Sequence, residues 1–200
     1  MVTLSKSILT RLYCKEKMSM MEIAKHHGCS VHKIQYWMKQ CQIPSRSMSD
    51  AAYTKHHPKG DPFIFRKPKN NEEQFLYGLG IGLYWGEGNK ACKTAVRLGN
   101  TDPKLLQIFM EFLEKFFSIP RKDFHFGLQI FTDIDPEEAL TYWRKTLHIT
   151  QDQFYKPTVT ISGSIGTYRK KSRHGVLTVY YNNVKVRNLL IGLLPSSLSA

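Results

Sequence analysis

FLYGLGIGLYWGEGNK, residues 75–90, is the stretch that decides the fold of most of this chain. Its apolar spacing predicts a helix on which Gly78, Gly82 and Gly86 are four residues apart and share one face. Each glycine destabilises a helix by about 1 kcal/mol relative to alanine. A strip of three glycines therefore indicates that something packs against this helix more closely than side chains would allow.

The glycine strip ends at Glu87, which stands between Gly86 and Gly88 where the helix must stop. One interpretation is a helix packed against another part of the same chain, with Glu87 as a solvated end. The other is a helix packed against its own copy at a two-fold axis, which brings two carboxylates together. Two such carboxylates repel each other unless a divalent cation lies between them.

The sequence around this helix predicts an α+β domain with an antiparallel sheet and helices on one face. The pattern predicts helices at 72–86, from 103 onward, at 135–147 and at 184–194, and strands near 93–99, 123–132, 157–162 and 175–182. The strand near 123–132 is the clearest, because Phe124, Phe126, Leu128 and Ile130 alternate with polar residues or glycine.

Residues 80–88, GIGLYWGEG, resemble the LAGLIDADG motif of homing endonucleases in its G-L-x-x-G-E-G form. The matching positions are Gly82, Leu83, Gly86, Glu87 and Gly88, whereas Trp85 replaces the first acidic residue of the family and Gly80 its leading leucine. NTDPKLLQIFMEFL and EEALTYWRKTLHI resemble later segments of such domains, so the resemblance covers about 72–194. It implies a saddle-shaped sheet that lies in the major groove of DNA.

The resemblance also implies a site and a partner. Glu87, with the carbonyl of Gly86, would bind Mg²⁺ beside a scissile phosphate, and Gly78, Gly82 and Gly86 would form a homodimer interface, because only one motif copy is visible. A basic residue is expected near that site; Lys156 is the candidate, with Lys90 and Lys93 as rivals. The polar strand residues expected to contact DNA are Arg97, His125, Gln129, Thr158, Thr160, Thr178 and Tyr180.

One further basic segment is interpreted as a loop on the phosphate backbone. It comprises Arg169, Lys170, Lys171 and Arg173. The alternative is a solvated hairpin tip, which carries the same residues without any nucleic acid partner.

The N-terminal segment 5–41 reads as three short helices. Ser19 and Glu22 predict a capping box, Gly28 a tight turn and Ser30 the cap of a third helix. The segment resembles the helix-turn-helix of many small regulators and recombinases. Its candidate DNA-binding residues are Ser30, His32, Lys33, Gln35, Tyr36 and Lys39. The alternative is an ordinary three-helix bundle with a polar outside.

Charge and composition support a polyanionic partner. The net charge is +13, and residues 1–70 hold 13 basic and 4 acidic side chains whereas 71–200 hold 16 and 12. The expected organisation is a helix-turn-helix domain at 1–43, a proline-containing basic linker at 44–71 and the LAGLIDADG-like domain at 72–200. No apolar run is long enough to span a membrane, and the four cysteines suit a reduced, cytoplasmic protein.

Two functions follow from these features. The first is a homodimeric, Mg²⁺-dependent endonuclease that cuts both strands of double-stranded DNA at a specific site. The second is a non-catalytic transcription regulator derived from such an endonuclease, because a helix-turn-helix precedes the single motif. RNA maturase activity is a third interpretation, which the helix-turn-helix makes weaker.

Overall fold

The computed structural model describes residues 4–161 and 172–195, and the chain divides into two compact units, Met1–Pro62 and Phe63–Ala200. The first unit is helical. Its elements are α1 (Lys6–Leu9), which continues as a π-helical segment (Thr10–Lys15), α2 (Met20–His26), α3 (Val31–Gln40) and α4 (Met48–His56).

The start of α2 and its turn into α3 form as their residues predict. Ser19 Oγ accepts from the Glu22 amide at 3.1 Å and Glu22 Oε2 accepts from the Ser19 amide at 2.7 Å, so the predicted capping box is present. Gly28 has φ +60°, which favours glycine, and Ser30 caps α3. Leu9, Leu12, Ile23, Ile34, Trp37 and Met38 are buried together in the core of this unit.

Arg46 fixes the chain that leaves α3. Its guanidinium donates to the carbonyls of Lys17 and Met18, both at 3.1 Å, and to that of Tyr13, and it lies 4.1 Å from the centre of the Tyr13 ring. Immediately afterwards, Ser47 accepts from the Asp50 amide at 3.0 Å and begins α4.

Helix α4 lies inside the segment that the sequence predicted to be a linker. The helix has no buried residue. Its apolar residues are also not concentrated on one face, and such a face is the feature that predicts a helix from sequence. Its start depends instead on the cap at Ser47 and on the adjacent pair Ala51 and Ala52, which have high helix propensity.

The second unit is a mixed α+β structure. Its helices are α5 (Asn71–Glu87), α6 (Pro103–Phe117), α7 (Pro136–Leu147) and α8 (Val184–Leu193), and its strands are β1 (Val96–Asn100), β2 (His125–Phe131), β3 (Thr158–Thr160) and β4 (Val176–Tyr181). Asp102 and Asp135 cap α6 and α7, and each cap is followed by a proline at the first helical position. The predicted helices and strands of this unit are present.

The four strands form one mixed sheet in the order β1-β4-β2-β3. Strand β4 pairs antiparallel with β1 and β2, but β3 pairs parallel with β2. The prediction of an antiparallel sheet was therefore wrong at this edge. The physical reason is the connection from β2 to β3, which runs through α7 and forms the helical crossover that parallel strands require.

One face of the sheet packs with the helices in a single core. Alternate strand residues such as Leu98, Phe126 and Val179 are buried in it together with Phe109 and Trp143 of the helices. The other face of each strand is less buried. None of the described helices is both long and apolar enough to cross a membrane.

Candidate nucleic-acid interface and acidic helix end

Helix α5 has two faces that differ in what covers them. On the inner face, a Cβ atom added to Gly80 would lie 2.1 Å from Cγ of Phe112, so this glycine permits close packing of α5 on α6. On the outer face, Cβ atoms added to Gly78, Gly82 and Gly86 would meet no described atom within 4 Å. Close packing inside the chain thus depends on Gly80, whereas the predicted strip is uncovered by the described residues.

Two large apolar side chains border the uncovered glycine strip. Phe75 is 75% exposed and Trp85 is 57% exposed. Positions 75, 78, 82 and 85 follow the spacing of three and four residues that places side chains on one helix face. This outer face, comprising Phe75, Gly78, Gly82, Trp85 and Gly86, is called the glycine face below. Phe75 was not among the predicted site residues, although its spacing of three residues from Gly78 places it on this face.

Glu87 is exposed at the last position of α5, beside the edge of the sheet. The Gly88 amide donates to the Tyr84 carbonyl at 3.0 Å, Gly88 forms a bridge with Leu98, and the Asn89 amide donates to the Arg97 carbonyl at 2.9 Å. The helix end is therefore fixed against β1 by its backbone.

The loop that follows Glu87 is held by Arg187 of α8. Its Nε donates to the Cys92 carbonyl at 2.9 Å and its terminal nitrogen to the Lys90 carbonyl at 2.8 Å. Burial raises the pKa of the nearby Tyr84, and the Arg187 charge opposes that shift. No local pattern points to Arg187, because its two contacts join positions almost a hundred residues apart.

Cys92 lies in the same loop. Burial of this thiol opposes ionisation, but hydrogen bonds from Thr94 and the Ala95 amide, together with the charge of Arg97, leave its pKa below the ordinary value. These contacts favour the thiolate form of Cys92.

The structure separates the candidate lysines. Lys90 Nζ donates at 2.7 Å to the carbonyl of Trp85, and Trp85 lies two residues before Glu87. Lys156 precedes β3, which is the edge strand farthest from β1. Strands β1 and β3 are three strand spacings apart, which is roughly 14 Å at about 4.8 Å per spacing. Lys90 is therefore the nearer candidate to Glu87 within one chain, and Lys93 lies exposed in the same loop.

The predicted strand residues all lie on the sheet face that is turned away from the core. Tyr180 pairs with Arg97 on one side and with His125 on the other. Gln129 pairs with Thr158, and Thr178 pairs with Gly99 and Gly127. This surface, called the open face below, also carries Thr160. It joins residues from four strands into rows of polar and aromatic side chains.

The six candidate residues around α3 divide into two groups. Ser30 accepts from the Lys33 amide at 3.3 Å and serves as the helix cap, and Lys33 Nζ lies 5.2 Å from the centre of the Trp37 ring. The other side chains project into solvent and are His32, Gln35, Tyr36 and Lys39. These four form the exposed face of α3.

Arg173 is exposed just before β4. The other members of the predicted basic loop, Arg169, Lys170 and Lys171, lie outside the described residues.

A magnesium ion requires oxygen ligands. The end of α5 supplies the Glu87 carboxylate and main-chain carbonyls, such as that of Gly86, which lack intrahelical partners in the last turn of a helix. These groups fit the ion chemically. Within residues 4–161 and 172–195, no group of three or more His, Cys, Asp or Glu side chains is arranged to hold a metal.

Comparison with known proteins found no matching family model, no matching curated protein and no matching solved structure.

Proposed function

We propose that this protein is a homodimeric, site-specific endonuclease of double-stranded DNA that depends on Mg²⁺. The observation that carries the proposal is the glycine face of α5, which ends at the exposed carboxylate of Glu87. The LAGLIDADG resemblance of residues 80–88 supports the same function, because the family uses this helix end for metal-dependent hydrolysis.

The composition of the glycine face supports the proposed dimer. Phe75 and Trp85 expose large apolar side chains, and burying them in an interface would stabilise a dimer. The intervening glycines allow a second helix to approach closely. A two-fold axis through this face would bring the two Glu87 carboxylates near each other. Each protomer alone offers one carboxylate at this helix end.

The proposed chemistry is hydrolysis of a phosphodiester bond. Bound Mg²⁺ would stabilise negative charge on the phosphate and lower the pKa of a water ligand. Glu87 and the Gly86 carbonyl would hold the ion. The water oxygen forms a bond to phosphorus and gives up a proton to solvent, the bond from phosphorus to the leaving sugar oxygen breaks, and that oxygen takes up a proton from solvent. Lys90, beside the helix end, is the residue best situated to stabilise the added charge.

DNA would be held by two surfaces. The exposed face of α3 carries donors and acceptors suited to base edges and phosphates, and the open face of the sheet carries Arg97, Gln129 and neighbouring hydroxyl groups. The high positive charge of the chain favours phosphate contacts.

A second candidate function is a DNA-binding regulator without cleavage activity. The observation that favours it concerns the two candidate catalytic lysines. The Lys90 ammonium group is already bonded to the Trp85 carbonyl, and Lys156 lies at the opposite edge of the sheet from Glu87. Both functions require DNA binding, so they differ only in whether the bound strand is cut.

The deciding experiment compares the wild type with Glu87→Gln on a duplex selected from a random pool by binding. If the proposal is correct, both proteins bind this duplex, and only the wild type cuts both strands, only when Mg²⁺ is present. Binding by both proteins without cleavage by either would favour the regulator. Absence of duplex binding by either protein would contradict both functions.

Dimerisation is tested separately by sedimentation of Gly82→Leu. A leucine on the glycine face should shift the protein toward the monomer, because its side chain prevents close approach of the two helices. Gly192→Leu is the matched control, since Gly192 is also an exposed helical glycine with no described atom near its Cβ position. Equal sedimentation of the two variants would contradict this interface.

A further inference from the structure

Four side chains form a continuous cluster on the open face of the sheet. Arg97 of β1, Tyr180 of β4 and His125 of β2 are cross-strand neighbours in one row, and Tyr155 continues the row just before β3. The Tyr155 amide donates to the Phe126 carbonyl at 2.8 Å, which fixes its backbone beside β2. This cluster is called the aromatic row below.

The rings of the aromatic row pack closely. His125 and Tyr155 are stacked, with centroids 5.4 Å apart and planes 13° from parallel. Tyr155 meets Tyr180 edge to face, also at 5.4 Å, and the Arg97 guanidinium lies 5.1 Å from the centre of the Tyr180 ring. Tyr155 Oη accepts from Asn182 Nδ2 at 2.9 Å, and Tyr155 is 41% exposed.

Gly127 makes this arrangement possible. A Cβ atom added there would lie 2.9 Å from Cε2 of Tyr180. The ring of Tyr180 therefore crosses the sheet surface above Gly127. The result is an aromatic and cationic surface supported by rigid strands.

Two nitrogens of the aromatic row lack hydrogen bonds. Arg97 Nε and His125 Nδ1 are both buried and have no partner among the described residues. Buried polar atoms in folded proteins are nearly always paired. The row therefore holds hydrogen-bonding capacity that the described protein groups leave unused.

We infer that the aromatic row binds an unstacked nucleobase from a locally separated DNA strand. In an intact duplex the faces of the bases are covered by their neighbours, so aromatic rings gain little from them. An unstacked base offers a free ring face for stacking on the exposed part of Tyr155 or on the Arg97 guanidinium. The inference rests on the proposed DNA-binding function and specifies the form of DNA that the open face takes.

The test uses the full-length protein and a single-stranded DNA oligonucleotide that contains 2-aminopurine, together with the matching duplex. Stacking of the fluorescent base on the aromatic row should change its emission when wild-type protein is added. Tyr155→Leu removes the ring and should weaken single-strand binding by about 5- to 150-fold, because stacking contributes about 1–3 kcal/mol per base. Tyr155→Phe keeps the ring but loses the hydrogen bond with Asn182, and should retain most of the affinity.

The outcomes separate this inference from the proposed function. If Tyr155→Leu, folded as judged by its thermal unfolding, binds the single strand as tightly as the wild type while duplex binding persists, the inference is wrong and the proposed function stands. If neither single strand nor duplex binds the wild type, both are wrong. Tenfold tighter binding of the same sequence as RNA would overturn the assignment to DNA.

Discussion

At the scale of single residues, Glu73 illustrates how one charge network stabilises the second unit. Arg66 donates to both carboxylate oxygens of Glu73, at 2.7 and 3.0 Å, and the Lys69 amide donates at 2.9 Å. Hydrogen bonds from Arg66 first, and then from Lys69, hold the pKa of Glu73 at about 2, below its ordinary 4.5. Arg66 also donates to the Lys115 carbonyl, so the network joins the start of α5 to the end of α6.

This depressed pKa predicts a loss of stability in acid. A carboxyl group whose pKa is lower in the folded state contributes stability above its unfolded value and loses it as the pH falls through its folded value. The difference in free energy of unfolding between the wild type and Glu73→Gln should therefore shrink from pH 4.5 to about pH 2. Urea denaturation across this range measures it. A constant difference would show that Glu73 stabilises the fold without being ionised.

At the scale of elements, the two faces of α5 predict opposite effects of one substitution. Gly80→Ala places a methyl group against the Phe112 ring and should destabilise the second unit by about 1–3 kcal/mol. Gly78→Ala meets no described atom and should stabilise the monomer by up to about 1 kcal/mol, because alanine is the better helix former. Denaturation of both variants, at concentrations where sedimentation shows monomers, measures the two effects. Equal destabilisation would mean that another part of the chain covers the glycine strip.

The same elements show what sequence can and cannot predict. Helices α6 and α7 were predictable because a cap, a proline and an amphipathic period are all local. Helix α4 was missed because it buries nothing, and the parallel pairing of β3 with β2 was missed because a partner strand is not encoded locally. The same distinction between local and long-range features applies to the candidate site. The motif indicated Glu87, but the distance of Lys156 and the contacts of Arg187 depend on topology.

At the scale of the whole molecule, charge is distributed unequally over the two units. Residues 1–62 hold 10 basic and 4 acidic side chains, and five of the eight histidines. In this unit Lys39 belongs to the exposed face of α3, whereas Arg46 is used to hold the chain. Positive residues thus have different roles, and net charge alone does not identify the DNA-binding surface. The salt dependence of the DNA-binding affinity can identify this surface, because each phosphate contact releases bound counterions when it forms.

Lys39→Gln should therefore weaken binding to the selected duplex and reduce the slope of log affinity against log salt by about 1. Lys145→Gln is the matched control, because Lys145 is an exposed lysine on α7, on the helix-covered side of the sheet. Titrations by fluorescence anisotropy at several salt concentrations give both slopes. If Lys39 contacts a phosphate, only its substitution changes the slope. Equal slopes for the two variants and the wild type would mean that α3 does not contact the backbone through Lys39, and a change for Lys145 alone would place the DNA on the helical side.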